Sequence, residues 1–491
     1  MIELRPHQVE AVNALRHSLR CGHLRPILAA PCSMGKTMIA AFIMLSAAQK
    51  GKRSMFFCDR LKLLHQTTET FKKLNADFSV LQADDPRYDP SKLIQIASIQ
   101  TATKRNIDFD LAIVDECHTQ YKGLIDIMQR WTNIPFIGLS ATPYSVGLGA
   151  KGKYDDLVCT VTPRQLIQQG WLAPTDYYVG RSVSAEGVKT RSLSTGGSDY
   201  DPEELGNKML KDDTLAGDIV ENYRKHSNNL TRRAIAFSPN IAYSKSLVER
   251  FNKAGIPSHH IDGYTPDEER QVLYEDFKKG RFMVLSCSRL LGVGFDDPGV
   301  ELLIDCYKTR SQSAFIQRAG RIWRIAEGKE RACYLDHAGN LMEHGFPEDI
   351  VPESLDDGEK KFAERNQVKK EDVELEVHEC PQCSAAFTGR KCECGYELPR
   401  SAQILKDDGT ELKKVNRLAT KQEKQAFLSG LIKHGLDRGY KEGWSAYAYK
   451  QKYGVWPRGL DKVASSEIPV EVRGYIQHLN IKNAKRREAQ R

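Results

Sequence analysis

Ala29-Ala30-Pro31-Cys32-Ser33-Met34-Gly35-Lys36-Thr37 follows the apolar run Pro26-Ile27-Leu28 and precedes Met38-Ile39-Ala40-Ala41-Phe42-Ile43-Met44-Leu45. Strand, loop of small residues, Lys-Thr and helix, in that order, let backbone N–H groups surround a pyrophosphate at a helix N-terminus. In that reading the loop of Ala30, Pro31, Cys32, Ser33, Met34 and Gly35 cradles the nucleotide. Lys36 reaches its β- and γ-phosphates and Thr37 takes Mg²⁺. Gly35 suits a point where the backbone must come close to a phosphate. Ala30 stands where the usual pattern begins with glycine, and the stretch alone is also compatible with an ordinary loop of an α/β domain.

The chain around it has 491 residues, which suggests roughly three folding units. No run of about 18 apolar residues occurs, and Met1-Ile2-Glu3-Leu4-Arg5-Pro6 has no apolar core of a leader, so a cytoplasmic protein is expected. Eight of the twelve cysteines are scattered as reduced thiols would be, and four cluster between Cys380 and Cys394. The net charge of +8 is uneven: from Arg400 onward 20 Lys and Arg face 10 Asp and Glu, whereas residues 1–399 hold 52 against 54.

Upstream of the loop, Gln8 in Leu4-Arg5-Pro6-His7-Gln8 is the candidate adenine reader, since an amide offers a donor and an acceptor together. Downstream, strand-like runs at Arg53–Cys58, Leu93–Ser98, Leu111–Val114 and Phe136–Leu139 alternate with helix-compatible segments, the pattern of a parallel sheet with helices on both faces. The third run ends in Asp115-Glu116-Cys117-His118. Two adjacent carboxylates at the end of a buried strand are costly unless they hold a cation or a reactive water. Asp115 is therefore assigned to Mg²⁺ and Glu116 to the attacking water, the alternative being a capping pair. Ser140-Ala141-Thr142-Pro143 follows the fourth run, where its hydroxyls can bond the acidic motif.

Gln8, Ala30 to Thr37, Asp115-Glu116-Cys117-His118 and Ser140-Ala141-Thr142 together resemble superfamily 2 helicases and translocases of the DExH type. Strand-like runs resume after Arg232 and predict a second parallel-sheet lobe. In it, Gln317-x-x-Gly320-Arg321-x-x-Arg324 matches the family's last motif and Gly294-x-Asp296 the one before. On a helix Arg321 and Arg324 would share a face and point at one polyanion. The alternative is a solvated basic face. Gly294 to Pro298, the Asp336-to-Asn340 ending and the later Cys cluster look most like the bacterial RadD group of DNA-repair ATPases, and phage branch-migration helicases are similar.

Residues 166–215 read as a connector whose Ser/Thr/Gly-rich patch at 182–201 is a mobile insertion or loop. The resemblance implies an α/β fold of two tandem RecA-like lobes, 1–165 binding ATP and 216–350 forming the second. It implies catalysis by Lys36, Asp115, Glu116, Arg321 and Arg324 in the closed cleft. It also implies a nucleotide held by Gln8, the loop, Gly294 and Asp296, and DNA gripped through phosphates near Arg60, Gln66, Ser98, Gln100, Thr101 and Ser238. RNA is the less favoured strand, and a repair or replication protein is a further expected partner of the C-terminal region.

Residues 351–379 carry both charges and predict an exposed linker. At 380–398 Cys380, Cys383, Cys392 and Cys394 have the spacing of a zinc ribbon, though the second pair is C-x-C. The region 400–491 is expected to be mainly helical, its lysines and arginines interleaved with aromatics as a nucleic-acid grip requires. A helical domain with an aromatic core is the alternative there.

Overall fold

The computed structural model describes residues 3–105, 107–179, 184–193, 195–211, 214–288, 297–359, 377–379, 386–388, 413–415, 421–440, 443–453, 456–457, 459–469, 472–473 and 475–476. Gly294, Asp296 and the four cysteines from Cys380 to Cys394 lie outside these. The chain divides into a large unit, Met1–Val415, and a small one, Asn416–Arg491.

The large unit holds two seven-stranded sheets. The first is built from β1 (Pro26–Ala29), β2 (Ser54–Cys58), β3 (Ser79–Leu81), β4 (Ile94–Ser98), β5 (Leu111–Asp115), β6 (Phe136–Ser140) and β7 (Asp156–Val158), in the order β3-β4-β2-β5-β6-β1-β7. Every pairing is parallel. Nearly all its residues are buried, as expected of strands covered on both faces.

The second sheet takes β8 (Thr175–Val179) from the stretch read as connector. A short hairpin, β9 (Thr190–Ser192) and β10 (Ser198–Tyr200), intervenes. Then come β11 (Ala234–Ser238), β12 (Ser258–Ile261), β13 (Val284–Ser288), β14 (Leu302–Asp305) and β15 (Ala332–Asp336). Beyond a second two-stranded piece, β16 (Val377–Glu379) with β17 (Ala386–Thr388), the edge strand β18 (Lys413–Val415) adds antiparallel to β8. The order is β12-β13-β11-β14-β15-β8-β18.

Two segments depart from their expected character, and both tie the lobes together. The patch read as a mobile loop forms the β9–β10 hairpin. Asp199 accepts from Thr309 Oγ1 at 2.6 Å and from the Arg310 amide at 2.8 Å on the second lobe, while the Val146 amide of the first lobe donates to Thr195 O at 3.0 Å. The described start of the charged linker is likewise docked. Tyr144 donates its hydroxyl to Ile350 O at 3.2 Å, and the Gly147 and Gly149 amides donate to the Asp356 carboxylate and carbonyl, each at 2.8 Å. Leu355 packs against the first lobe's core, so a Cβ on Gly149 would meet it at 2.8 Å. Charge composition missed this because a few backbone bonds and one leucine outweigh the surrounding carboxylates.

In the small unit the helices Lys421–Asp437 and Trp444–Tyr453 pack Phe427, Leu428, Leu431, Ala448, Tyr449, Val472 and Ile476 into a core. Its aromatics divide: Phe427 and Tyr449 are buried, whereas Tyr440, Tyr447 and Trp456 stay exposed.

Candidate functional site

β1, β5 and β6 end side by side, with Ala29 opposite Ser140 and Asp115 opposite Leu139, and the Ala30 amide donates to Ser140 O at 2.8 Å. Parallel strands put all their C-terminal ends at one edge, so the loop, the acidic pair and Ser140 meet there. The loop turns through left-handed Ser33 (φ 68°) and Gly35 (φ 94°). A Cβ on Gly35 would lie 2.5 Å from Gln8 Nε2, so both conformation and space demand glycine. Gln8 is buried, with Nε2 donating to Met34 O at 2.9 Å and Oε1 accepting from the Arg5 amide at 3.0 Å. Here the candidate adenine reader braces the loop backbone.

Lys36 Nζ lies 2.8 Å from Glu116 Oε1. Burial works against the ammonium, but the Glu116 and Asp115 carboxylates outweigh it and hold Lys36 above its usual range. Burial pushes the Asp115 carboxyl up, with Lys36 opposing. For Glu116 burial is overcome by Lys36 and then His118, which keep it below the usual range. Glu116 itself has φ 47°, a left-handed conformation that costs a non-glycine residue about 1–3 kcal/mol and is typical of functional sites. Its amide donates to Asp115 Oδ1 at 3.0 Å.

Of two buried oxygens at this place, Ser33 Oγ takes no hydrogen bond and Glu116 Oε2 has only the His118 ring, its Nδ1 3.4 Å away. Orphaned buried polar atoms are costly. Beside a lysine and a left-handed loop at a helix N-terminus, they fit a nucleotide with its Mg²⁺, the partners the donor and acceptor set lacks.

Contacts between the lobes reach the residues beside these atoms. His118 Nδ1 is 2.9 Å from Ser140 Oγ, and Gln317 of the second lobe places Nε2 3.1 Å from Thr142 Oγ1 and 3.4 Å from His118 Nε2. Burial holds His118 below its usual pKa, against the pull of Glu116, so the ring is neutral at pH 7. Gly320 touches the loop directly, since a Cβ there would clash with Cys32 Cβ. Gln317 and the Cys32–Gly320 approach were not singled out from sequence, although Gln317 opens the motif that was.

The helix expected to carry Arg321 and Arg324 is a correction. It spans Gln312–Ala319 and ends at Gly320, so Arg321 follows on a turn and Arg324 on the irregular chain after it. Ile322 and Trp323 between them are both fully buried, and the Trp323 carbonyl accepts from the Ala173 amide at 2.7 Å, anchoring the open backbone. Both cations still act on the loop. Burial raises the Cys32 thiol while Lys36, Arg321 and Arg324 pull it down, and Arg321 also lowers Glu116. Neighbouring Arg318 has a different task, a buried pair with Asp305 at 3.1 Å.

A cleft of about 840 Å³ opens between the helix Leu61–Lys73 of the first lobe and Asp267–Lys278 of the second, with Thr37, Gln66 and Arg270 in its wall. Lys62 Nζ sits 4.6 Å from the Tyr274 ring across it. Of the expected strand contacts, Arg60 and Gln100 are exposed, each tied to Asp59, through Arg60 Nε to the carboxylate at 3.3 Å and Gln100 Nε2 to the carbonyl at 3.0 Å. Ser98 is buried and caps its short helix, bonding Thr101. Ser238 is fully buried, 3.3 Å from Ser286 Oγ. Among the described residues no His, Cys, Asp and Glu group is arranged to hold a metal ion by itself.

Residues 1–145 match the family model of the type III restriction enzyme res subunit, and 216–326 match the helicase conserved C-terminal domain. A 51.5 kDa protein of a Lactococcus phage is 28% identical over 382 residues, which covers 76% of this chain and 78% of that one. A Saccharomyces cerevisiae protein that carries the name ATP-dependent helicase IRC3 is 26% identical over 360 residues, 68% of this chain but only 51% of its own length. A fragment of an HsdR subunit of a type I restriction enzyme from Vibrio vulnificus shares the fold, with a TM-score of 0.53 at 20% identity over 72% of this chain and 67% of that one.

Proposed function

We propose that this chain, an ATP-hydrolysing superfamily 2 helicase or translocase, remodels branched or partly single-stranded DNA during replication, recombination or repair. One observation carries the reading. The side chains at the end of β5 and β6 are bonded to Gln317 of the second lobe, so a change at Lys36, Asp115 or Glu116 is felt by the lobe that must move.

In this reading the loop from Ala30 to Gly35 and Lys36 bind the triphosphate, with Lys36 leaving Glu116 for the γ-phosphate. Thr37 and Asp115 would hold Mg²⁺, which supplies neutralisation of phosphate charge when bound. Glu116, released from Lys36, accepts a proton from the attacking water and orients it. Arg321 and Arg324 offset the charge that spreads over the transferred group. Gly294 and Asp296 join them from sequence alone. His118, neutral and bonded to Ser140, passes the state of Glu116 to Gln317.

DNA would lie across both lobes, held through phosphates by Arg60, Gln66, Gln100 and Thr101, whereas the buried hydroxyls of Ser98 and Ser238, bonded to Thr101 and Ser286, are closed to it. Such contacts carry no base information, so selection is by structure. From their spacing Cys380, Cys383, Cys392 and Cys394 hold one Zn²⁺, which would fold the segment around them.

The test compares ATPase stimulation by single-stranded DNA, forked DNA and RNA, with strand displacement measured beside it. Forked DNA should stimulate most and be unwound or migrated. Stimulation by RNA alone would overturn the DNA assignment, and stimulation without displacement would make the chain a switch. Elemental analysis should find one zinc per chain, lowered by Cys383→Ser.

A further inference from the structure

The small unit carries a feature that its own folding does not use. Its core is complete without Tyr447 and Trp456, which are 59% and 42% exposed. Single exposed aromatics need no explanation. These two are in mutual contact, ring centroids 6.2 Å apart at 66°, and Lys450 Nζ stands 4.6 Å from the centre of the Trp456 ring. Tyr447 and Lys450 are three residues apart on the helix Trp444–Tyr453 and share its outer face, while Ala448 and Tyr449 are buried.

We propose that Tyr447, Trp456 and Lys450 form a stacking platform for one base of a single-stranded nucleic acid, Lys450 meeting its phosphate. The net charge of this stretch of sequence selects the class of occupant. Residues 416–491 hold 16 Lys and Arg against 7 Asp and Glu, a net of +9 that exceeds the +8 of the whole chain. A polyanion is drawn to such a unit, and of the polyanions a single strand alone presents aromatic planes with phosphates one step away. Lys450 and Tyr447 hold the indole in place before a base arrives, which reduces the ordering cost of binding. Every base has a π-face, so the platform is indifferent to sequence and retains strand that the motor lobes have exposed. This rests on the reading that the chain acts on nucleic acid.

The experiment uses the full chain and two labelled oligomers of equal length and charge, oligo(dT) and an abasic deoxyribose-phosphate strand, with binding followed by anisotropy. The wild-type chain should prefer oligo(dT). Trp456→Ala and Tyr447→Ala should each weaken oligo(dT) binding about tenfold and leave the abasic strand unchanged, while Trp456→Phe keeps most of the preference. Lys450→Ala should weaken both strands alike and make the salt dependence shallower by about one unit. Basal ATPase should be unaltered in all four variants. If Trp456→Ala binds oligo(dT) as the wild type does, or loses equally on both strands, the platform is overturned and the rings are a protein contact. If the wild-type chain binds neither strand and neither stimulates its ATPase, the proposed function falls as well. The two failures are therefore distinct.

Discussion

Glu116 is the residue on which both states of the site turn. In this structure it neutralises Lys36, and its left-handed backbone is the kind of strain that is retained only when neighbours over-determine it. Glu116→Gln should keep nucleotide affinity, because the loop is untouched and Lys36 is freed of its competitor, yet lower turnover by orders of magnitude. Nucleotide binding by calorimetry beside single-turnover hydrolysis checks this, and near-normal hydrolysis removes Glu116 from its role. Gly320 makes a different demand. It has an ordinary helical backbone, so the closeness of Cys32 Cβ alone forbids a side chain. Gly320→Ala should part the lobes at the phosphate loop and cut ATPase about tenfold or more with little change in stability, since a 1 Å displacement of reacting groups can cost about a hundredfold. The double variant Gly320→Ala/Cys32→Gly removes the clash, and its ATPase should recover part of the way. Sequence reading reached Glu116 through its motif but could not reach the Gly320 approach, because the partners stand far apart in the chain and neither residue type announces the other.

At the scale of elements, the segment 346–358 and the β9–β10 hairpin do what no charge or propensity count foresaw. Asp356 satisfies two amides of the loop after β6 through its carboxylate and carbonyl, and Leu355 fills the first lobe's core. Asp356→Ala leaves the Gly147 amide without its acceptor, which should destabilise by about 1–3 kcal/mol. Hydrogen exchange at Gly147 is expected to rise while that of β1 and β5 stays unchanged. Exchange that rises uniformly would mean that the segment is part of the global fold, not a local clasp. The open turn after Ala319 has the same physical origin. Its arginines suggest a helix face, but burying Ile322 and Trp323 together outweighs helix continuation, since a Trp in a full core is worth about 3–5 kcal/mol.

Across the whole molecule, charge divides where the chain divides. Residues 1–415 hold 56 Lys and Arg against 57 Asp and Glu, a net of −1. A chain ending after Val415 keeps β18 on the edge of the second sheet, which an end near Glu379 would remove. It should hold nucleotide normally, yet bind DNA more weakly and with a shallower salt dependence, about one released counterion fewer for each phosphate it no longer neutralises. An unchanged slope in a salt titration would return the +9 to a solvated face.

What the amino-acid order determined by itself is the presence of two lobes built on parallel strands, with the loop, acidic and hydroxyl motifs at strand ends of the first. Those follow from continuous apolar strands and from chemistry written in adjacent residues, such as Gly35-Lys36-Thr37 and Asp115-Glu116. Only the tertiary structure decided that Lys36 rests on Glu116, that Gln317 reaches Thr142, and that Gly320 must be bare. It alone decided which aromatics of the small unit are core and which are surface. Each of these is a distance between residues far apart in the chain. Such distances are set by how whole lobes and helices pack, a sum of many weak attractions that no local pattern encodes.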